Sequence, residues 1–323
     1  MTERLKEYKE IPLNQIDADD DTFLVSHPRS DETLHRSIKR VGLINPLSLR
    51  SREGGKLQVI AGFRRLAACL EMGIEKVSAF IYPETLEPLA AFRIAVHDNL
   101  NRGYNLLEKS SILDKLVNLF HVPVEEVLHE YMPMLGLNPS RNLLRDYLSM
   151  KNLTLEMKHY IYETGVSLSS AARIASFGGK DQEALLKLIH PLRPGFGKLR
   201  EILTHADEIA AREGLSIAEI LCKGELTAVN DSDAPRTVKL EMVRSELKRM
   251  RYPALSSTEN SVKELMKSLG LPMGLSLHLP PYLEGDTVSA ELRFKSADEL
   301  EALAKKILDI SRRRELKKLL ELL

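Results

Sequence analysis

A chain of 323 residues with 43% hydrophobic content, 46 basic and 46 acidic side chains and two cysteines reads as a globular protein of two or three domains. Its formal net charge of +0 excludes a global field that draws it to nucleic acid, so such contacts must come from local clusters. No run approaches the ~20 apolar residues of a membrane span, and "MTERLKEYKEIPL" lacks the apolar core of a signal peptide, so a cytoplasmic protein without membrane contact is expected. Cys69 and Cys222 lie far apart without metal-ligating neighbours at useful spacing. The absence of Trp argues against base-stacking recognition of single strands.

In chain order, "YKEIPLNQI" alternates like a strand and "DADDD" marks a loop. "DETLHRSIKRVG" predicts an amphipathic helix with Leu34, Ile38 and Val41 on one face and Gly42 at its end. "NPLSLRSREGGKLQVIAG" predicts two strands around a Gly-Gly turn. "VSAFIYP" is a further buried strand stopped by Pro83, and "PLAAFRIAVHDNLN" a helix. Residues 1–105 therefore form an α+β unit.

Strand signals vanish from 106 to 225. "NLLEKSSILDKLVNLF", "PVEEVLHEYMPML", "PSRNLLRDYLSMKNL", "LEMKHYIYETG" and "SLSSAARIASF" follow as short helices broken at "HVP", "GLNP", "NLT" and "GVS". This is the text of an all-α, helix-turn-helix module. "TAVNDSDAPR" is polar and aperiodic, so 226–237 is predicted to be a linker. A small α/β domain spans 238–323: amphipathic "VKLEMVRSELKRM" and "SVKELMKSLG", strands "GLSLHLP" and "TVSAELRF" joined by "PYLEGD", and a last helix opened by Ser296 and Glu299 as a capping box. Leu300, Leu303, Ile307 and Ile310 form its apolar stripe, which buries either a face shared with a second subunit or one within its own.

Three stretches carry chemistry. Arg64 and Arg65 open a helix behind Gly62, where the positive end of the helix dipole disfavours cations. Either backbone N–H groups and guanidinium forks converge there on an anion, or both arginines are splayed in solvent against Glu71 or Glu75. In "RVGLINPLSLR", Gly42 to Pro46 set the Asn45 amide at a turn before a strand. In "VHDNLNRGYNLLEKS", Asp98, Asn99 and Arg102 crowd a helix end, where a carboxylate and an amide suit Mg²⁺ and an arginine suits phosphate. Taken singly, the last two are equally capping or loop features.

Together, "GLINPL", "GFRR" and "DNLNRGYNLLEKS" resemble, in order and spacing, the three nucleotide boxes of the ParB/Spo0J family of partition proteins. The resemblance implies a sulfiredoxin-like N-terminal domain that binds CTP with Mg²⁺, dimerises around it and closes as a clamp on double-stranded DNA. It implies nucleotide contacts from Gly42, Asn45, Gly62, Phe63, Arg64, Arg65, Asn99 and Arg102, with Asp98 and Asn99 holding the metal. Phe63 stands where the family has the Glu of hydrolysis, and Asn45 where it often has Gln, which favours binding over turnover.

Downstream, "PSRNLLRDYLSMKNL" matches the family's recognition helix, implying DNA contacts from Ser140, Arg141, Arg145 and Lys151. "SSAARI" keeps Arg173 of a Gly-His-Ala-Arg pattern but not its Gly and His. The C-terminal strands and capped helix resemble the family's dimerisation domain, with a neutral-to-acidic loop where relatives are Lys-rich. The basic tail that stimulates a ParA-type ATPase in the family has only Arg4 and Lys6 as its counterpart, leaving that partnership open. The implied function is a CTP-gated, homodimeric, nucleoid-associated clamp in chromosome or plasmid partition. The alternative is a transcription regulator of the same fold that binds a palindrome without a nucleotide gate. An enzyme of the sulfiredoxin, kinase or nuclease type lacks support: Cys69 lies a helix turn from Phe63, and no His-rich or multi-carboxylate cluster is present.

Overall fold

The computed structural model describes residues 6–29, 31–280, 285 and 287–322, without the side chains of 230, 231, 254–256 and 259. Backbone contacts divide it into two units. The first takes the described residues up to Leu203 with Ser216–Cys222, and the second takes Thr204–Leu215 with the described residues from Lys223 onward. The expected boundary at 105 thus falls inside the first unit.

That unit opens with β1 (Glu7–Pro12), β2 (Ile16–Asp17), α1 (Glu32–Val41), β3 (Leu47–Arg50), β4 (Leu57–Ala61), α2 (Phe63–Glu71), β5 (Lys76–Tyr82) and α3 (Pro88–Asp98). The strands form one mixed sheet in the order β1-β5-β3-β4-β2. β3 and β4 pair antiparallel around Gly54 and Gly55, with a register shift between Ser48 and Leu49, while β3 runs parallel to β5. Leu47, Leu49, Val59, Ile60 and Ala79 are fully buried, as continuous apolar runs in central strands require. α3 lays Ala91 and Phe92, also fully buried, into this core. Two expectations change here. The strand expected over "YKEIPLNQI" is broken after Pro12 by a 3-10 turn at Leu13–Gln15 and resumes as the short β2. Val41 is 58% exposed, so only Ile38 of the predicted α1 face is fully inside.

The helical part follows as α4 (Leu106–Asp114), α5 (Val124–Glu126), α6 (Met132–Met134), α7 (Arg141–Ser149), α8 (Leu155–Thr164), α9 (Leu168–Ala175), α10 (Gly179–Leu192), α11 (Phe196–Glu213), which belongs to the second unit from Thr204 on, and α12 (Ile217–Leu221). Single π turns continue α4 through Lys115–Leu119 and join α5 to α6 through Val127–Tyr131.

The second unit contains α13 (Gly224–Asp231), α14 (Arg236–Arg251), α15 (Pro253–Leu269), β6 (Leu275–His278), β7 (Ser289–Leu292), α16 (Ala297–Ser311) and α17 (Arg314–Glu321). The predicted linker is therefore helical through Asp231, because Leu226 and Val229, one helical turn apart, are both buried. α15 also begins earlier than its apolar spacing suggested. β6 and β7 pair antiparallel as expected, while most of "PYLEGD" lies outside the described residues. Ser296 caps α16 by accepting from the Glu299 N–H, but Glu299 reaches back to the N–H of Lys295 instead of Ser296. Leu303 and Ile310 pack with Val262, Leu269, Leu275 and Leu319, so much of the α16 stripe is consumed within its own chain.

Candidate functional site

The β4–α2 turn sets the geometry. Gly62 has φ +104° and begins α2 without any side-chain cap, leaving first-turn N–H groups without the usual partner. A Cβ at this position would stand 2.6 Å from Leu47 Cδ2, so packing and backbone both demand glycine. The turn borders a cleft of about 920 Å³ whose wall includes Asn45, Gly62, Phe63, Arg64, Arg65, Asp98, Asn99 and Arg102. Segments separated widely in the chain thus meet as anticipated. Gly42, with φ +77°, ends α1 and is not part of this wall.

Neither arginine pairs with Glu71 or Glu75. Glu71 meets His35 instead, at 3.3 Å. Arg64 donates from Nε to the Pro28 carbonyl at 3.0 Å, and from Nη2 to the His27 carbonyl at 3.1 Å and Glu108 at 3.3 Å. Its Nη1 lies 3.7 Å from Asp31. Arg65 donates from Nη1 to the carbonyls of Asn45, at 2.8 Å, and Pro46, at 2.6 Å, and from Nη2 to Asp98 at 3.2 Å. Burial pushes its pKa down, opposed by the charge of Asp98.

Arg102 completes the set, donating to Asn99 Oδ1 at 3.2 Å and to both oxygens of Glu108. Glu108 is fully buried. It accepts from Arg64, from two nitrogens of Arg102, and from the N–H groups of His27 and Asn105. Sequence reasoning left Glu108 out of the site. Its signal was the Asn-x-x-Glu pattern of a capping box, which Asn105 and Glu108 do form at the start of α4. Around the turn, Arg64, Arg65 and Arg102 are thus matched by Asp31, Asp98 and Glu108. Phe63, 6% exposed, offers no carboxylate there.

Asp98 and Asn99 stand side by side at the end of α3, with Asn99 Nδ2 anchored on the Ala95 carbonyl. One carboxylate and one amide oxygen fit the hard-ligand chemistry of Mg²⁺, which keeps waters and takes phosphate oxygens at its other positions. Among the described residues no group of three or more His, Cys, Asp and Glu side chains is placed to hold a metal ion.

The second set of predicted residues lies on the helical part. Ser140 caps α7 by accepting from the Leu143 N–H. Leu144 and Tyr147 face inward, while Arg141 and Arg145 are exposed. Arg141 pairs with Glu125, and Lys151, just beyond α7, lies 4.0 Å from Asp114. Arg173 sits on α9, half-buried and engaged. α7 thus buries one face and presents Arg141 and Arg145 on the other. Among the described residues no helix is long and apolar enough to cross a membrane.

Comparison with known proteins finds similarity in sequence. The family whose profile matches residues 2–100 is described as the ParB N-terminal domain. The probable chromosome-partitioning protein ParB of Vibrio cholerae is 25% identical over 156 residues, covering 48% of this chain and 50% of the relative. The nucleoid occlusion protein of Bacillus cereus is 26% identical over 162 residues, covering 50% and 52%. The chain thus spans about half the length of the curated relatives it matches. Two solved structures of C-terminally truncated Caulobacter crescentus ParB are similar. The one complexed with CTP-γ-S has 25% identity and TM-score 0.25 over 57% of this chain and 99% of that one. The one complexed to the centromeric parS site has 20% identity and TM-score 0.31 over 65% and 95%. At such TM-scores the kinship rests on sequence. Residues 2–100 thus match the ParB N-terminal domain, and the chain is similar in sequence to ParB and nucleoid occlusion proteins over about half its length.

Proposed function

We propose that this chain is a nucleotide-gated, dimeric DNA-binding protein that serves DNA partition or nucleoid organisation in the cytoplasm. The observation that carries the reading is the convergence of Asn45, Arg65, Asp98 and Asn99 on the uncapped start of α2. A helix start with a guanidinium over it suits phosphate. CTP is the nucleotide that the three sequence boxes imply. Asp98 and Asn99 are the residues that would hold Mg²⁺, which supplies positive charge to the phosphate oxygens when bound. α7 supports the DNA part, with Arg141 and Arg145 presented together behind the Ser140 cap.

The two arginines of the turn take different roles in this reading. Arg64 is tied to the 27–28 backbone and to buried Glu108 and acts as a strut. Arg65 is the phosphate ligand. Dimerisation belongs to the C-terminal unit and, with nucleotide bound, to the N-terminal domain. Phe63 favours a switch that binds nucleotide and turns it over slowly or not at all, since a missing general acid–base group costs a typical 10²–10⁴ in rate.

The deciding experiment is calorimetric titration of the full chain with CTP and Mg²⁺, with ATP and GTP as controls. Selective CTP binding that is lost in Arg65→Ala, with the fold intact, supports the reading. Binding to a short palindrome with no response to any nucleotide replaces it with the ungated regulator.

A further inference from the structure

Around Gly62 the charges of three arginines and three carboxylates cancel, so a bare nucleotide triphosphate meets little net positive field from them. The carboxylates differ in whether they can let go. Glu108 is fully buried beneath its donors, and separating it from Arg64 and Arg102 strands a buried charge. Asp98 has a side chain 38% exposed and touches Arg65 through one 3.2 Å contact. Arg65 keeps Nη1 on the Asn45 and Pro46 carbonyls whatever Asp98 does. Its Nη2 lies over the turn, 3.2 Å from where a Gly62 Cβ would stand, beside the uncapped start of α2.

The geometry points to Asp98 as an exchange carboxylate that holds Arg65 Nη2 until a divalent cation takes its oxygens, releasing Nη2 to the phosphates of the same metal–nucleotide complex. This rests on the nucleotide reading of the cleft and adds its regulation. The metal draws Asp98 from the guanidinium, and the phosphate replaces the acceptor that Nη2 has lost. Cation and anion bind cooperatively because each removes the other's competitor, and the coupling is reciprocal. Free nucleotide without metal must compete with Asp98 for Arg65 and meets its negative charge as well. The ligand is accordingly the metal–nucleotide complex, and Asn45 positions Arg65 through its backbone carbonyl rather than its amide.

The test is CTP affinity of the full chain in saturating Mg²⁺ and in EDTA, for wild type, Asp98→Asn, Asp98→Ala and Asp98→Glu. Circular dichroism verifies the fold of each. Wild type should bind at least about tenfold more weakly in EDTA, the scale of one hydrogen bond to a charged group. In Asp98→Asn and Asp98→Ala the difference should shrink to about threefold or less, chiefly through tighter binding in EDTA. Asp98→Glu should keep the wild-type difference. If both uncharged variants bind no better in EDTA than wild type does, the exchange is overturned and the nucleotide reading survives. Equal CTP affinity of wild type with and without metal overturns the exchange in the same way. No CTP binding by wild type in either condition overturns both.

Discussion

Arg102 and Glu108 form a two-point ion pair, with Nη2 2.7 Å from Oε1 and Nη1 3.1 Å from Oε2. The carboxylate is fully enclosed and the guanidinium side chain is 36% exposed. Glu108→Ala leaves Arg102 and Arg64 without their common partner and removes half of the α4 capping box. Breaking a buried pair of this kind costs about 3 kcal/mol or more. Urea unfolding of the full chain should register this as an earlier transition, and a variant that melts like wild type refutes the role assigned to Glu108.

Gly62→Ala adds one methyl group at φ +104° and within 2.6 Å of Leu47 Cδ2. The conformational strain alone is of order 1–3 kcal/mol, and displacing Leu47 disturbs β3 as well. The expected result is a lower melting temperature together with weakened CTP binding, read by calorimetry. Gly42→Ala, at φ +77° with open space around it, should cost only the backbone strain.

For the DNA contacts proposed for Arg141 and Arg145 on α7, salt dependence separates phosphate from base contacts. If Arg145 meets a phosphate, Arg145→Ala lowers the slope of log affinity against log salt by about 0.9. It should then weaken cognate and unrelated duplexes alike. Ser140→Ala should destabilise α7 by about 1 kcal/mol through loss of its cap, and an unchanged thermal transition would count against the capping geometry.

Lys115 donates to the carbonyls of Asp21 and Thr22. Burial, partly offset by nearby Asp21, Asp20 and Asp114, brings its pKa down to about 8 from 10.5. Between those values the unfolded chain holds one proton more than the folded chain, so stability rises with pH by about 1.4 kcal/mol per unit. Below about 8 this relief is absent. Urea midpoints measured from pH 7 to 10 should rise in wild type relative to Lys115→Met, and parallel curves for the two proteins would refute the shift.

Much of this was readable in the residues because it is local. Ser296 caps α16 where its spacing to Glu299 said a helix would open, and Asp31, Asn105 and Ser140 stand at the starts of three other expected helices. The Gly-Gly turn pairs β3 with β4, and Gly62 stands at the strand-to-helix turn. What escaped is non-local. Nothing near Glu108 in sequence reveals that His27 and Arg64 turn toward it, so a helix cap was visible and the junction of three segments was not. Arg64 and Arg65 are neighbours of the same type, and only their partners at 27–28 and 45–46 separate strut from ligand. The helix at 224–231 was masked by polar composition, its burial resting on Leu226 and Val229 alone among its apolar branched residues.

The reach of Glu108 back to His27, 81 residues earlier, bears on how the cleft comes into being. Contacts of such sequence separation form late, after the intervening loop has been closed. On the ribosome the Gly62 turn emerges well before the carboxylate that fixes Arg64 and Arg102, leaving those guanidiniums mobile until α4 has been synthesised. A fragment cut at residue 105 would keep Gly62, Arg64, Arg65, Asp98, Asn99 and Arg102 and still lack Glu108. The smallest fragment in which Arg64 and Arg102 find this partner therefore reaches into α4, beyond the 2–100 segment that matches the ParB N-terminal domain.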